Sequence, residues 1–404
     1  MGVTLTEVEH ARRVLGDVAA VTPVESSRWL EGVLGAPVHL KCENLQRTGS
    51  FKIRGAYVRI AGLSADERAR GVVAASAGNH AQGVALAAAL LGASATVFMP
   101  RGATIPKEQA TRAYGATVRY EGTNVDEALV AALAYADETG AVFIHPFDHP
   151  DIIAGQGTVG LELVEQVPDL ASVVVPCGGG GLLAGVATAV KALRPDVRVV
   201  GVQAEGAACY PPSLAAGQPE TLASMRTMAD GIAIGRPGEV PFAAVSELVD
   251  EVVTVGEESL SRALLLLAER AKQVVKPGGA AAVAALLDHP DGVDLFPGPS
   301  VAVLSGGNID PLLLLRVLRH GLAAAGRYLS VTVRVPDRPG ELLRLLQLLA
   351  DADANVLDVV HQRVSTRLNV DEVEIALRVE TRGQSHRESV IDSLRRSGYS
   401  VILA

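Results

Sequence analysis

Short apolar segments alternate with helical segments from Gly71 onward, and this alternation constrains the fold most strongly. Strands are predicted at residues 72–76, 95–99, 117–120 and 142–144. A helical pattern separates each strand from the next, which is typical of βαβ units with parallel strands. The alternation therefore predicts a small α/β lobe at about residues 49–147.

A second set of strands predicts a larger lobe. Its strands are expected at 172–176, 197–203, 252–254 and 301–304, with helices between them. Pro146 to Gly157 is predicted as a loop between the lobes, and residues 205–240 as irregular because they are rich in glycine and proline. With residues 1–48 added to 148–325, the larger lobe completes a two-lobed domain at 1–325.

The pattern changes after Gly326. The predicted order is strand, helix, two strands, helix and strand, from Leu329 to Leu403. This βαββαβ order is the ferredoxin-like arrangement. A separate α+β domain is therefore predicted at residues 326–404.

Composition excludes several classes of function. The net charge is −9 with no long basic run, which argues against nucleic acid or an anionic membrane as a partner. Three cysteines lie far apart and form neither a disulfide framework nor a zinc spacing. The first residues carry no apolar signal core, so a soluble cytoplasmic protein is expected.

Lys52 is the first candidate for chemistry. It follows a Gly-Ser turn, stands beside Phe51 and precedes a helical pattern. A solvated lysine is an ammonium at neutral pH, whereas a lysine in an enclosed apolar turn loses its charge more easily and can form an imine with a carbonyl. A surface lysine at a helix start is the alternative for such a residue taken alone.

A run of four glycines follows the buried strand at 172–176 and precedes a helix: Gly178, Gly179, Gly180 and Gly181. Backbone N–H groups at such a turn can converge on an anion. A dinucleotide fingerprint is the alternative, because Gly179, Gly181 and Ala184 fit G-x-G-x-x-A. That alternative leaves Lys52 unexplained.

Two further strand ends carry polar residues. Ser76-Ala77-Gly78-Asn79-His80 closes the first strand of the small lobe and opens a helix, where ligands bind in open α/β sheets. Ser305 ends another buried strand before two glycines. His145 and His149 suggest metal ligands by their spacing, but no further ligand cluster lies near them, so no metal is expected.

These segments, in this order and spacing, resemble the pyridoxal-phosphate enzymes of the threonine and serine dehydratase family over about residues 15–320. The resemblance implies a two-lobed, open parallel-sheet enzyme of fold type II, like the tryptophan synthase β subunit. It also implies pyridoxal 5'-phosphate as the cofactor and an amino acid as the substrate.

The resemblance assigns roles to individual residues. Lys52 would hold the cofactor and act as catalytic base, and Ser305 would face the pyridine nitrogen as a second catalytic residue. The remaining cofactor contacts would come from Phe51, Asn79, Gly178, Gly179, Gly180 and Gly181. The substrate would be bound by Ser76, Ala77, Gly78, Asn79 and His80. Related serine racemases carry a serine as second base where this chain has Ala77, so racemisation is disfavoured.

The C-terminal domain resembles an ACT domain. An effector amino acid, isoleucine or valine by family expectation, would bind at Asp337, Arg338, Pro339, Gly340 and Asn355. A dimerisation module without a ligand is the alternative. Enzymes of this family usually form homodimers or homotetramers.

The expected reaction is dehydration and deamination of L-threonine to 2-oxobutanoate and ammonia. It would serve isoleucine synthesis or threonine catabolism under allosteric control. L-serine dehydration to pyruvate remains open, as do an NAD-binding oxidoreductase and a requirement for a cation. Glu205 lies where relatives bind a cation, but the spacing after it differs, and no metal ligand is assigned.

Overall fold

The computed structural model describes residues 2–103, 105–363 and 371–403, and the chain forms two compact units at residues 1–314 and 315–404. The strands of the first unit are β1 (Val24–Ser26), β2 (Val38–Lys41), β3 (Val72–Ala75), β4 (Ala95–Met99), β5 (Thr117–Tyr120), β6 (Val142–Phe143), β7 (Ser172–Pro176), β8 (Arg198–Ala204), β9 (Glu251–Val255) and β10 (Ser300–Val303).

Helices connect these strands. They are α1 (Leu5–Leu15), α2 (Arg28–Leu34), α3 (Lys52–Ala61), α4 (Ala65–Arg70), α5 (Asn79–Leu90), α6 (Ile105–Ala113), α7 (Val125–Thr139), α8 (Pro150–Gln166), α9 (Gly181–Leu193), α10 (Tyr210–Ala216), α11 (Glu239–Leu248), α12 (Glu257–Leu266), α13 (Ala281–Asp288) and α14 (Pro311–Ala324). The division between the two units falls inside α14. In the described part of the chain, no helix is both long and apolar enough to span a membrane.

Two mostly parallel sheets organise the first unit. The smaller has the order β5-β4-β3-β6 and is parallel throughout. The larger has the order β1-β2-β10-β7-β8-β9, with only the edge pair β1–β2 antiparallel. All five residues of β7 are buried, as expected for a strand covered by helices on both faces. The predicted α/β class is confirmed.

The second unit contains an antiparallel sheet of β11 (Tyr328–Pro336), β12 (Asn355–Gln362), β13 (Glu372–Glu380) and β14 (Ser400–Leu403), in the order β12-β13-β11-β14. Helices α15 (Glu341–Asp351) and α16 (Gln384–Arg396) complete the βαββαβ order. Alternate residues of β11 and β13 are buried and pack with apolar side chains of both helices. The predicted ferredoxin-like arrangement is confirmed.

The connection between the lobes differs from the prediction of a loop as far as Gly157. Helix α8 begins at Pro150, and the ring of His149 caps it by accepting a hydrogen bond from the N–H of Asp151. The glycines that suggested a loop instead permit close helix packing. A Cβ on Gly155 would lie 2.6 Å from the Cα of Gly55 on α3.

Residues 205–240 are also more regular than expected, because they contain α10 and the start of α11. Helix α1 ends at Leu15 rather than continuing to residue 20, since Gly16 takes a φ of +46°. Helix α12 ends at Leu266, and a π turn covers the rest of the predicted helix to Ala271.

A buried ion network joins α3 to α8 and to the turn after β2. Arg54, only 1% exposed, donates from Nε to Glu43 Oε2 at 2.9 Å and from Nη1 to Glu162 Oε1 at 2.6 Å. Lys41 donates to Glu162 Oε2 at 2.5 Å. Burial by itself would raise the pKa of Glu43, but the charge and hydrogen bonds of Arg54 outweigh it and lower that pKa. Two cations therefore balance two carboxylates inside the core.

Replacing Arg54 with Met is expected to lower the free energy of unfolding by about 3–5 kcal/mol, because Glu43 and Glu162 would be left buried without this partner. Urea unfolding of the full chain measures the loss. Arg59→Met on the same helix is the matched control, since its pair with Asp151 spans 3.4 Å and is partly exposed. The control should lose less than about 1 kcal/mol. Equal losses in the two variants would contradict a dominant role for the network.

Candidate active site

Lys52 is the first residue of α3 and lies at the end of a tight turn. Its partly buried ammonium donates to the carbonyl oxygen of Pro146 at 2.6 Å and lies 5.1 Å from the centroid of the Phe51 ring. Burial, and then the charge of Lys276, lower the pKa of Lys52 to about 7. A substantial fraction of this side chain is therefore a neutral, nucleophilic amine near neutral pH.

The strand end after β10 contacts the lysine turn directly. The N–H of Phe51 donates to Ser305 O at 3.4 Å, and Ser50 pairs with Gly306 in an isolated antiparallel bridge. Gly307 N donates to Gly49 O at 2.8 Å. Ser305, 3% exposed, thus lies beside the lysine turn although 253 residues separate it from Lys52.

The segment at the start of α5 joins the same cluster. Asn308 donates from Nδ2 to Thr48 O at 2.6 Å and to Asn79 Oδ1 at 3.1 Å. Ser76 Oγ accepts from the N–H of Gly78 at 3.1 Å and so shapes the turn that precedes the helix. Asn79 is therefore fixed between the strand end at Asn308 and the lysine turn.

His80 bonds to a different strand end. Its Nε2 lies 2.8 Å from the carbonyl oxygen of Ile144, which can only accept a hydrogen bond, so Nε2 carries the proton. Burial first, and the charge of Lys52 second, lower the pKa of His80 to about 3. The ring is neutral at physiological pH and anchors α5 to the strand end after β6.

The glycine run lies between β7 and α9 and is closely packed on the side that a Cβ would occupy. A Cβ on Gly179 would lie 2.4 Å from the ring of Phe147, and one on Gly180 would lie 1.9 Å from the hydroxyl of Tyr210. Gly180 also has a φ of +99°, which side chains other than glycine rarely adopt. Phe147 is the neighbour of Pro146, the residue that accepts the hydrogen bond from Lys52.

The N–H groups of this run favour an anion. In the described part of the chain, those of Gly178, Gly179 and Gly180 have no hydrogen-bond acceptor. They precede the N-terminus of the 13-residue helix α9, where the helix dipole also favours negative charge. A phosphate group fits this cradle in charge and in hydrogen-bond chemistry.

Sequence reasoning missed several residues of the site. Pro146 and Phe147 fell in the predicted connector, and Tyr210 in the predicted irregular region. Lys276 is buried, with 8% of its surface exposed. Its position in the sequence, a lysine between apolar residues, was the signal that could have indicated a buried cation. Asp230 pairs with Lys107 at 2.5 Å beside Lys276.

His145 and His149 serve local structure. His145 accepts from the N–H of Asp148 at 2.7 Å, and burial lowers its pKa to about 4. His149 caps α8. Among the residues that the structure describes, no group of three His, Cys, Asp or Glu side chains is arranged to hold a metal ion.

The predicted effector residues lie at two places in the second unit. Residues 337–340 form the turn before α15, with Gly340 at a φ of +95°, and Asn355 begins β12. A cavity of about 580 Å³ lies next to this turn, lined by residues that include Arg334, Pro336, Glu341, Arg344 and Tyr399. None of the five predicted effector residues lines it.

Comparison with known proteins is consistent with this geometry. The chain is 48% identical over 400 residues to L-threonine ammonia-lyase of Thermotoga maritima, covering 99% of both chains. It resembles the crystal structure of a threonine deaminase from T.th., with 46% identity and a TM-score of 0.72 over 76% of this chain and 99% of that one. Maize serine racemase matches with 35% identity and a TM-score of 0.74, over 80% of this chain and 99% of that one.

Two families match separate parts of the chain. Residues 16–306 match the family described as "Pyridoxal-phosphate dependent enzyme", and residues 329–398 match the ACT domain. These matches confirm the predicted cofactor and the resemblance, and they favour pyridoxal phosphate over the dinucleotide alternative for the glycine run. The chain therefore belongs to the pyridoxal-phosphate dependent enzyme family and carries an ACT domain in its C-terminal part.

Proposed function

We propose that this protein is a threonine ammonia-lyase, which converts L-threonine to 2-oxobutanoate and ammonia. The observation that carries the proposal is the amine of Lys52, whose pKa is lowered to about 7. This amine lies where the chain segments after β2, β3 and β10 meet, with the glycine run nearby. The match to a protein named L-threonine ammonia-lyase, 48% identical over 99% of both chains, supports the choice of substrate.

The residues present fit pyridoxal phosphate. Lys52 would be its covalent attachment point. Gly178 to Gly181 would receive the phosphate at their backbone N–H groups, in a turn whose tight packing against Phe147 and Tyr210 leaves no room for a Cβ at Gly179 or Gly180. Ser305 would face the ring nitrogen, while Asn79 would contact the ring hydroxyl and Phe51 would cover one ring face. When bound, the cofactor supplies the electron sink that makes the Cα–H bond of an amino acid acidic.

Residues of the chain then handle the substrate. The N-terminus of α5, with Ser76, Ala77, Gly78, Asn79 and His80, would hold the substrate carboxylate through backbone N–H groups. Lys52 would take the Cα proton at Nζ as general base. The C–O bond at Cβ then breaks, and the hydroxyl leaves as water after gaining a proton, which balances the proton lost from Cα. Hydrolysis of the released enamine consumes one water and gives 2-oxobutanoate and ammonia. Ala77 offers no second base, which disfavours racemisation.

The proposal predicts 2-oxobutanoate from L-threonine at a higher rate than pyruvate from L-serine, measured as 2-oxo acid with the purified holoenzyme. Lys52→Ala should lower turnover by at least about 1,000-fold, because the general base and the attachment point are lost together. Lys191→Ala, which removes a lysine from the far end of α9, is the control. Faster turnover of serine would favour the serine dehydratase alternative, and appreciable activity of Lys52→Ala would refute the role of the lysine.

Attachment of pyridoxal phosphate to the cofactor-free chain should accelerate with pH through a midpoint near 7, the pKa of Lys52. Only the neutral amine adds to a carbonyl, so protonation below this pKa slows the reaction. With pKa values of about 3 and about 4, His80 and His145 stay neutral in this range. Stopped-flow absorbance between about pH 5.5 and 9.5 measures the rate, with N-acetyl-lysine amide as the control for the cofactor's own titration. A rate that still rises at the upper limit would indicate a lysine of ordinary pKa.

We further propose that the ACT domain, at residues 326–404, binds an amino-acid effector and controls the catalytic domain at 1–325. Asp337, Arg338, Pro339, Gly340 and Asn355 would bind isoleucine or valine. The turn of residues 337–340 precedes α15, whose N-terminus favours a carboxylate. By linkage, the substrate must then change the affinity for the effector as well.

A chain ending at residue 325 should keep turnover but lose any change of rate caused by isoleucine or valine. Initial rates of the full and truncated chains, each with and without the two amino acids, provide the measurement. An effector response that survives truncation unchanged would contradict control by this domain.

The biological setting follows from the reaction. 2-Oxobutanoate suits either isoleucine synthesis or threonine catabolism, and assembly as a homodimer or homotetramer is proposed from the family. A cytoplasmic location fits three cysteines that are all free and buried.

A further inference from the structure

Lys276 is a buried cation that the proposed mechanism does not use. It is 8% exposed and precedes the 3₁₀ turn at Pro277–Gly279. Its Nζ lies against Gly231, in space that a side chain at that position would occupy, because a Cβ there would be only 1.7 Å from the nitrogen. In the described part of the chain, no hydrogen-bond acceptor reaches this ammonium, and the paired carboxylate oxygen, Asp230 Oδ1, is 4.0 Å away.

The local charges do not balance. Asp230 is already hydrogen-bonded to Lys107, with Nζ to Oδ2 at 2.5 Å. Two ammonium groups thus share one carboxylate, which leaves a surplus positive charge. Burial lowers the pKa of Lys276, and the charge of Asp230 opposes that effect. A desolvated ammonium in this state gains strongly from an anionic partner.

Lys276 lies among the residues of the active site. Its N–H donates to the carbonyl oxygen of Gly306 at 3.0 Å, and Gly306 pairs with Ser50 in the lysine turn. The side-chain nitrogen Nδ2 of Asn79 lies 2.7 Å from the position that a Cβ on Gly306 would occupy. The charge of Lys276 also contributes to the lowered pKa of Lys52, as expected for two cations that lie near each other.

The segment that carries Asp230 connects Lys276 to the glycine run. Ile232, two residues on, has its Cα 3.1 Å from the position of a Cβ on Gly178. The same isoleucine lies 3.3 Å from the corresponding position on Gly278, just after Lys276. The lysine is therefore close both to Lys52 and to the phosphate cradle.

We propose that Lys276 is an oxyanion-binding residue of the active site, which donates from its buried ammonium to a carboxylate or phosphate oxygen of a bound ligand. The inference rests on the proposed function. The oxyanion has two sources, the carboxylate of the amino-acid substrate and the phosphate of the cofactor. Both offer the same chemistry to the lysine, and paired ligands with and without the anionic group distinguish them.

The test compares Lys276→Met with the wild-type full chain in two binding titrations. Cofactor-free protein is titrated with pyridoxal phosphate and with pyridoxal, which lacks the phosphate. Holoenzyme is titrated with L-2-aminobutyrate, which lacks the leaving hydroxyl, and with its amide, which lacks the carboxylate. Absorbance of the cofactor reports each dissociation constant, so turnover is not needed.

We expect Lys276→Met to raise the dissociation constant of one anionic ligand by about tenfold or more, while that of its neutral counterpart changes by less than about twofold. Selective loss of pyridoxal phosphate assigns the phosphate, and selective loss of aminobutyrate assigns the carboxylate. Lys276→Arg, which keeps the cation, should stay within about threefold of wild type. Unchanged affinity for all four ligands, or equal weakening of both members of each pair, overturns the proposal.

Lys191→Met controls for the loss of a partly buried lysine, because Lys191 pairs with Asp250 at 2.8 Å at the far end of α9. If Lys276→Met fails to fold, the Lys276→Gln and Lys276→Arg pair gives the same comparison of neutral and charged side chains. A wild-type protein that binds the ligands but forms no 2-oxo acid would refute the proposed function while leaving the binding result for Lys276 intact.

Discussion

The contact between Arg54 and two buried carboxylates is the constraint on which the active site depends. Arg54 follows Lys52 by two residues on α3, while Glu43 belongs to the turn after β2 and Glu162 to α8. A planar guanidinium with a fork of donors fixes direction as well as distance. The first turn of α3, and with it Lys52, therefore has one orientation relative to the large sheet. Because desolvating the charges opposes their attraction, we interpret the network as specifying geometry more than adding stability.

Two basic side chains on the same helix turn consequently have opposite electrostatic environments. Arg54 has carboxylate partners and keeps its charge, and its pKa is raised although burial opposes this. Lys52 has a carbonyl oxygen, that of Pro146, and a cationic neighbour, Lys276. Its charged form loses solvation without a compensating anion, so its pKa falls. The same core thus contains a permanent structural cation and a titrating amine suited to catalysis.

Local patterns predicted the strands well, because buried parallel strands are short apolar segments bounded by turns. Glycine was the main source of error. In α8, Gly155 and Gly157 are interior helix residues that let neighbouring helices approach, whereas Gly180 adopts a left-handed conformation in a turn. Both uses look alike in sequence, since what distinguishes them is the neighbouring backbone. Helix α10 has no glycine but two prolines, and the glycines and prolines around it favour irregular structure; contacts such as that of Tyr210 with Gly179 hold it.

The sequence by itself determined the alternation of strands and helices, the attachment of a βαββαβ domain, and the identity of Lys52, the glycine run and Ser305 as candidates. These features depend on residue type and spacing, which are local. Only the tertiary structure decided how the segments of Ser305, Asn79 and Lys52 contact one another. It also decided that the amine of Lys52 bonds to Pro146 and lies near the charge of Lys276, and that His80 is a neutral anchor. Burial and charge depend on segments up to about 250 residues apart, which meet only when parallel strands align their ends at one edge of a sheet.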